Sequence, residues 1–185
     1  MPLRYMILPN LLLNTKVCKS MLVTFEQLPP TSRIWIYSSK ASFTENQNHI
    51  VQKELEIFAS GWEAHGEGLK ASFKIEYGHF IILAVDEKHH SASGCSIDKS
   101  VQVIRNIESA AKLDLMDRMT VYVWNDNRIQ THNTAELKEL IENRLLTPKT
   151  LVFDNSITSI RDYQDKWLKP AGDTWLKRYF RVAYS

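Results

Sequence analysis

An α+β fold is predicted by three features of the chain: an unbroken apolar run at residues 80–85, strict alternation of apolar and polar residues over 69–77, and apolar residues at three- and four-residue steps from Ile97 onward. The first pattern suits a strand covered on both faces, the second a strand with one wet face, and the third an amphipathic helix.

In chain order, residues 25–32 contain Pro29 and Pro30, which hold the backbone extended and read as a rigid lead-in. Residues 33–37, apolar at most positions, form a first strand. Thr44 and Gln47 make a capping box ahead of a helix whose Val51, Leu55, Phe58 and Trp62 recur at helical steps. Gly61, Gly66 and Gly68 break it, with His65 inside the break. Leu69, Ala71, Phe73, Ile75 and Tyr77 line one face of a second strand, and Gly78 turns it into the apolar third strand, making a hairpin. A helix follows over 97–112, with Ser96 as N-cap, Asp98 in its first turn, and Ile97, Val101, Ile104, Ile107 and Ala111 on its apolar face.

Residues 119–124 read as a fourth strand, which turns at 125–127 into a short strand ending at Thr131. Asn133 and Glu136 cap a third helix that presents Leu137, Leu140, Ile141 and Leu145 on one face and ends before Pro148. From about residue 150 the tail reads as a short apolar run and a helical extension around Tyr163, Trp167, Trp175 and Phe180. The order from 33 to 124 is thus β-α-β-β-α-β, the ferredoxin-like arrangement. It predicts one antiparallel sheet with helices on one face and the first and third strands central, plus an extra hairpin strand and C-terminal helices.

With 185 residues and 44% hydrophobic content, the chain can bury a core large enough for one domain, expected over 21–185. Residues 1–20 read as a disordered leader, one that is not necessarily translated, because Pro9 interrupts the apolar patch that a signal peptide needs. They carry Arg4, Lys16 and Lys19 and no carboxylate, so without them the formal charge of +2 becomes a deficit of one. The basic balance is therefore no argument for nucleic acid or a membrane surface. The tail interleaves basic residues with aromatics, but at helical spacing such rings usually pack, with Lys and Arg stems lying over them. From Met21 onward Cys95 is the only cysteine, which excludes an internal disulfide and points to a reducing cytoplasm. No run is long enough to span a membrane.

Candidate chemistry gathers between the third strand and the second long helix. Cys95 at the lip of a helix N-terminus would have its thiolate stabilised by unpaired N–H groups and the helix dipole. Ser93, Gly94, Ser96 and Asp98 surround it, and the same geometry suits an anionic ligand. In a ferredoxin-like sheet the loops after the first helix and the third strand share one end, which would bring His65, Asp86, His89 and His90 toward Cys95. A thiol, an imidazole and a carboxylate are the material of Cys–His nucleophilic catalysis, with Cys95 and His65 as the candidate catalytic residues. Metal binding is disfavoured: adjacent His89 and His90 point apart on extended backbone, and Cys95 has no C-x-x-C partner.

The segments FEQLPP (25–30), RIWIY (33–37), GWEAHG (61–66) and ASGCSID (92–98) together resemble a family of small uncharacterised bacterial proteins commonly labelled ABC transporter ATPases. The resemblance covers most of the chain from Met21, and its label implies nucleotide binding. The chain nevertheless has no G-x-x-x-x-G-K-[ST] run to wrap phosphates and hold magnesium, and no family catalytic residues carry over. Three functions are therefore expected in order: a small-molecule or anion site at the helix over 97–112, including a Cys–His thiol enzyme; a non-catalytic interaction module or homodimer; and a nucleotide-binding protein. The sequence leaves any cofactor unknown.

Overall fold

The computed structural model describes residues 22–88 and 92–183; the expected leader and the pair His89 and His90 lie outside them. Six consecutive apolar residues need cover on both sides, and the chain puts them at its centre. Residues 80–85, all fully buried, lie in β5 (Phe80–Asp86). Antiparallel β1 (Arg33–Ser38) and β4 (Lys70–Glu76) flank it in the order β1-β5-β4. The expected hairpin turns at Tyr77 and Gly78, with φ of 53° and 64°, the left-handed pair that matches the twist of its strands. Burial alternates along β5: Ile81 and Leu83 face helices, while Phe80, Ile82 and Ala84 face a second sheet.

The helical face is covered by α1 (Glu45–Ser60) and α2 (Gly94–Ala111). Thr44 caps α1 as expected: its Oγ1 accepts the Gln47 N–H at 3.3 Å, and Gln47 Oε1 accepts the Thr44 N–H at 2.9 Å. Val51 and Leu55 then meet Ile104 and Ile107 of α2 over the sheet. α1 stops at Gly61, so Trp62 leaves the helix rather than extending its stripe. It is buried instead against α2, where its Nε1 donates to the Ser96 carbonyl at 3.0 Å. A two-rung hairpin follows, β2 (Glu63–Ala64) and β3 (Glu67–Gly68), with His65 and Gly66 in its turn at φ 53° and 80°.

The ferredoxin-like arrangement is not confirmed. It needs the fourth strand beside β1, but β6 (Thr120–Asn125) pairs with β7 (Arg128–Asn133) and β8 (Leu151–Phe153), and β8 with β9 (Leu168–Pro170), giving a separate sheet in the order β7-β6-β8-β9. The physical reason lies in β6 itself. Tyr122 and Trp124 pack toward the first sheet, whereas Val121 and Val123 pack away from it, so β6 is apolar on both faces and needs two covers. The second cover is α3 (Leu137–Glu142) and α5 (Lys177–Ala183), through Leu137, Ile141 and Phe180. Helices therefore lie outside both sheets rather than on one face, and the two sheets pack against each other.

The tail is likewise not a helical extension alone, since it supplies β8 and β9 on either side of α4 (Ile160–Lys166). Asn133 and Glu136 form the expected cap, but the first turn is a 3-10 turn and α3 ends at Glu142. Leu145 consequently falls off the apolar face and is 68% exposed. Among the described residues no helix is long and apolar enough to cross a membrane.

Candidate functional site

The helix that carries Cys95 begins three residues earlier than its apolar spacing suggests. Ser93, not Ser96, is the N-cap: its Oγ accepts the Ser96 N–H at 3.2 Å, leaving Cys95 in the first turn and Asp98 beyond it. A polar Gly-Cys-Ser first turn has no apolar periodicity, so the spacing could not reveal it. Ser96 is buried and spends its hydroxyl on the Ser93 carbonyl at 2.9 Å. Cys95 is exposed, so it is not packed in the core as free cysteines often are. Gly94 lies in open space, with no atom within 4 Å of a built Cβ, so no close approach requires a glycine there.

Only part of the expected constellation assembles. The Trp62–Ser96 bond and an ion pair between Lys99 and Glu63 at 3.6 Å hold the β2–β3 hairpin against the start of α2, which puts His65 on an element neighbouring Cys95. His65 is exposed at the turn, and no hydrogen bond joins it to Cys95. Asp86 accepts the Lys88 N–H at 3.0 Å and serves its own strand end. Nearby, Glu87 accepts the Ala92 N–H at 2.9 Å. Among the described residues no group of three potential ligands forms a metal cage.

A second candidate, absent from the sequence reading, lies at the seam between the two sheets. It is a cleft of about 660 Å³ walled by β1, the start of α2, the 115–122 segment, residues 152–158 and the stretch from Thr174 to Leu176. Ile97, Val101, Leu115, Val152 and Leu176 make its apolar lining, and Trp175, 41% exposed, stands at its border.

Its polar groups come from three distant segments. Tyr37, at the end of β1, has its phenol pushed up by burial, opposed by the nearby Ser100 hydroxyl and by the charge of Arg118. Tyr122 is only 2% exposed, and burial pushes its phenol up to about 12. Its hydroxyl has no hydrogen-bond partner among the described residues, although the nearby Ser38 hydroxyl partly offsets the effect of burial on the phenol. Ser38 Oγ accepts only a long bond of 3.4 Å from Asn155. A buried hydroxyl left unpaired costs roughly 1–3 kcal/mol, so Tyr122 stands out among the polar groups here.

The one signal that could have pointed here is a tyrosine inside the apolar strand Val121-Tyr122-Val123, because a buried Tyr usually finds a partner for its hydroxyl. No protein-family model matches the chain, and no curated protein or solved structure shows significant similarity to it.

Proposed function

We propose that this protein binds a small molecule in the cleft between its two sheets. The observation that carries the reading is the Tyr122 hydroxyl, buried and unpaired beside a space of about 660 Å³. Ligand sites commonly combine apolar walls, a few convergent polar groups and roughly 300–1,000 Å³ of room. Tyr37, Ser38 and Asn155 would fix orientation, and the lining would supply affinity. Binding rather than catalysis is the reading, because among the described residues no nucleophile and base are paired across the cleft.

The test is a screen of small fragments such as indole, benzamide and benzoate, followed by amide shifts in two-dimensional NMR. Shifts concentrated at Ile36, Ser38 and Tyr122, and weakened in Tyr122→Phe, support the site. Fragments that shift only scattered surface amides would sink it.

A second reading keeps the Cys95 thiol, because Cys95 is exposed on the first turn of α2 with His65 on the neighbouring hairpin. It is tested by iodoacetamide alkylation of Cys18→Ser protein across pH, with and without His65→Ala. A rate profile that matches a small free thiol and ignores His65 would end the thiol-enzyme reading.

A further inference from the structure

We propose that the ligand of the cleft is an N-acyl amino acid: a carboxylate one carbon from a secondary amide, with an apolar side chain. This inference rests on the cleft being a ligand site and adds the ligand's chemistry. It starts from the free edge of β1. In an antiparallel ladder, successive residues turn their N–H and C=O alternately toward one neighbour and the other. Ser39 donates to the His79 carbonyl at 2.8 Å, on the β5 side. Ile34 and Ser38 donate away from β5, to Thr158 at 3.0 Å and Leu115 at 3.3 Å. Ile36 has the same parity, so its N–H and C=O also turn away from β5, into the cleft that Ile36 lines.

Thr158 and Leu115 therefore take the positions of a partner strand on either side of Ile36, and the place between them holds no backbone bond among the described residues. At about 3.3 Å per residue, Ile34 and Ser38 are only ~13 Å apart, so the vacancy accepts about one amide unit and not a strand. An amide there satisfies both groups of Ile36 as one rung of a sheet.

The charge at this end of the cleft comes from Arg118, which is close enough to Tyr37 to act on its phenol. Arg118 forms no ion pair among the described residues, and a guanidinium suits a carboxylate in two-bond geometry. The opposing charges are Asp117, whose two oxygens accept from the Met119 N–H at 2.7 Å and Thr120 Oγ1 at 2.6 Å, and Asp114, which with Asp117 acts on the Tyr122 phenol. Arg118 is the cation among the residues that line the cleft, and the one a carboxylate would seek there. An apolar side chain on the ligand would then rest among Ile97, Val101 and Leu115.

The experiment titrates the full chain with N-acetyl-L-leucine, N-acetyl-L-leucinamide and a pentapeptide ending in leucine, reading amide shifts and Kd by NMR. The expected result is that N-acetyl-L-leucine shifts Ile36, Leu115 and Thr158 and binds at least tenfold tighter than the leucinamide. In Arg118→Gln, whose exposed position leaves the fold intact, the two bind alike. The pentapeptide binds more weakly, because Thr158 closes the route along β1; tighter peptide binding overturns the small-molecule source. Equal binding of acid and amide to the unaltered protein overturns the ligand class. If N-acetyl-L-leucine leaves Ile36 unmoved while indole or benzamide shifts the cleft, the ligand class falls and the cleft survives; if nothing shifts the cleft, both fall.

Discussion

Tyr122 carries the clearest consequence of any single residue. Because its hydroxyl is buried without a partner, Tyr122→Phe removes a polar group that gains nothing from folding. The expected change is between zero and a gain of about 1 kcal/mol, measured by urea unfolding. A loss above about 1 kcal/mol would mean that the hydroxyl is in fact well bonded. Tyr122 and Tyr163 both hold their protons more tightly in the folded protein, through burial first and, for Tyr163, through the hydrogen bond its hydroxyl donates to Glu76 at 2.7 Å. A phenol whose folded pKa is raised contributes stability that is complete below the unfolded value near 10 and is lost as pH rises above it. The melting temperature should therefore fall between about pH 10 and 12, with phenolate absorbance appearing in step with unfolding; full early titration of every tyrosine would contradict this.

Among the elements, the α1 cap and the Trp62 link hold the helical layer in place. Thr44→Ala leaves the Gln47 N–H without its Oγ1 acceptor and should cost about 1 kcal/mol in urea unfolding. Trp62→Phe keeps an aromatic ring but loses the Nε1 bond to the Ser96 carbonyl and leaves a void where the larger indole lay, with an expected cost of at least about 1–2 kcal/mol. It should also raise amide exchange at the start of α2, which unchanged protection would refute.

The elements differ in how readable they were. The residues 80–85 run, the Thr44 cap and the Gly78 turn are local signals, and each led to the right strand, helix or turn. The partner of β6 was not readable, because an apolar strand can join either sheet and the decision is made by residues 151–153, nearly thirty positions away. Leu145 misled for a different reason: spacing shows where a helix would face, not where it stops. The cleft had no motif at all, since Ile36, Arg118, Tyr122 and Asn155 meet only through the packing of two sheets.

Across the whole molecule, the second sheet depends on residues far apart in sequence. Asp154, 5% exposed, follows β8 and pairs with Lys169 of β9 at 2.7 Å, with Ser156 as a further donor. Burial alone would raise its carboxyl, but Lys169 and the Ser156 bonds prevail and hold it below the ordinary aspartate range. Its contribution is thus present above about pH 4 and lost as pH falls through the lowered value. Asp154→Ala should cost roughly 3 kcal/mol at neutral pH by leaving Lys169 unpaired, and the difference from the parent should shrink in acid. A pH-independent cost would assign the effect to packing alone.

The two bonds that bracket Ile36 also bear on how copies of this chain meet. A bare outer strand is a template on which another molecule can add its own strand and begin to aggregate. Thr158 and Leu115 occupy the rungs on either side of the gap in β1, while Val23 bonds Ala71 and Ser72 along β4. The three-stranded sheet is stoppered on both sides by single residues instead of by further strands. What is left between the stoppers is wide enough for one amide and too short for a neighbour's strand, so the opening proposed to take a ligand denies purchase to a fibril.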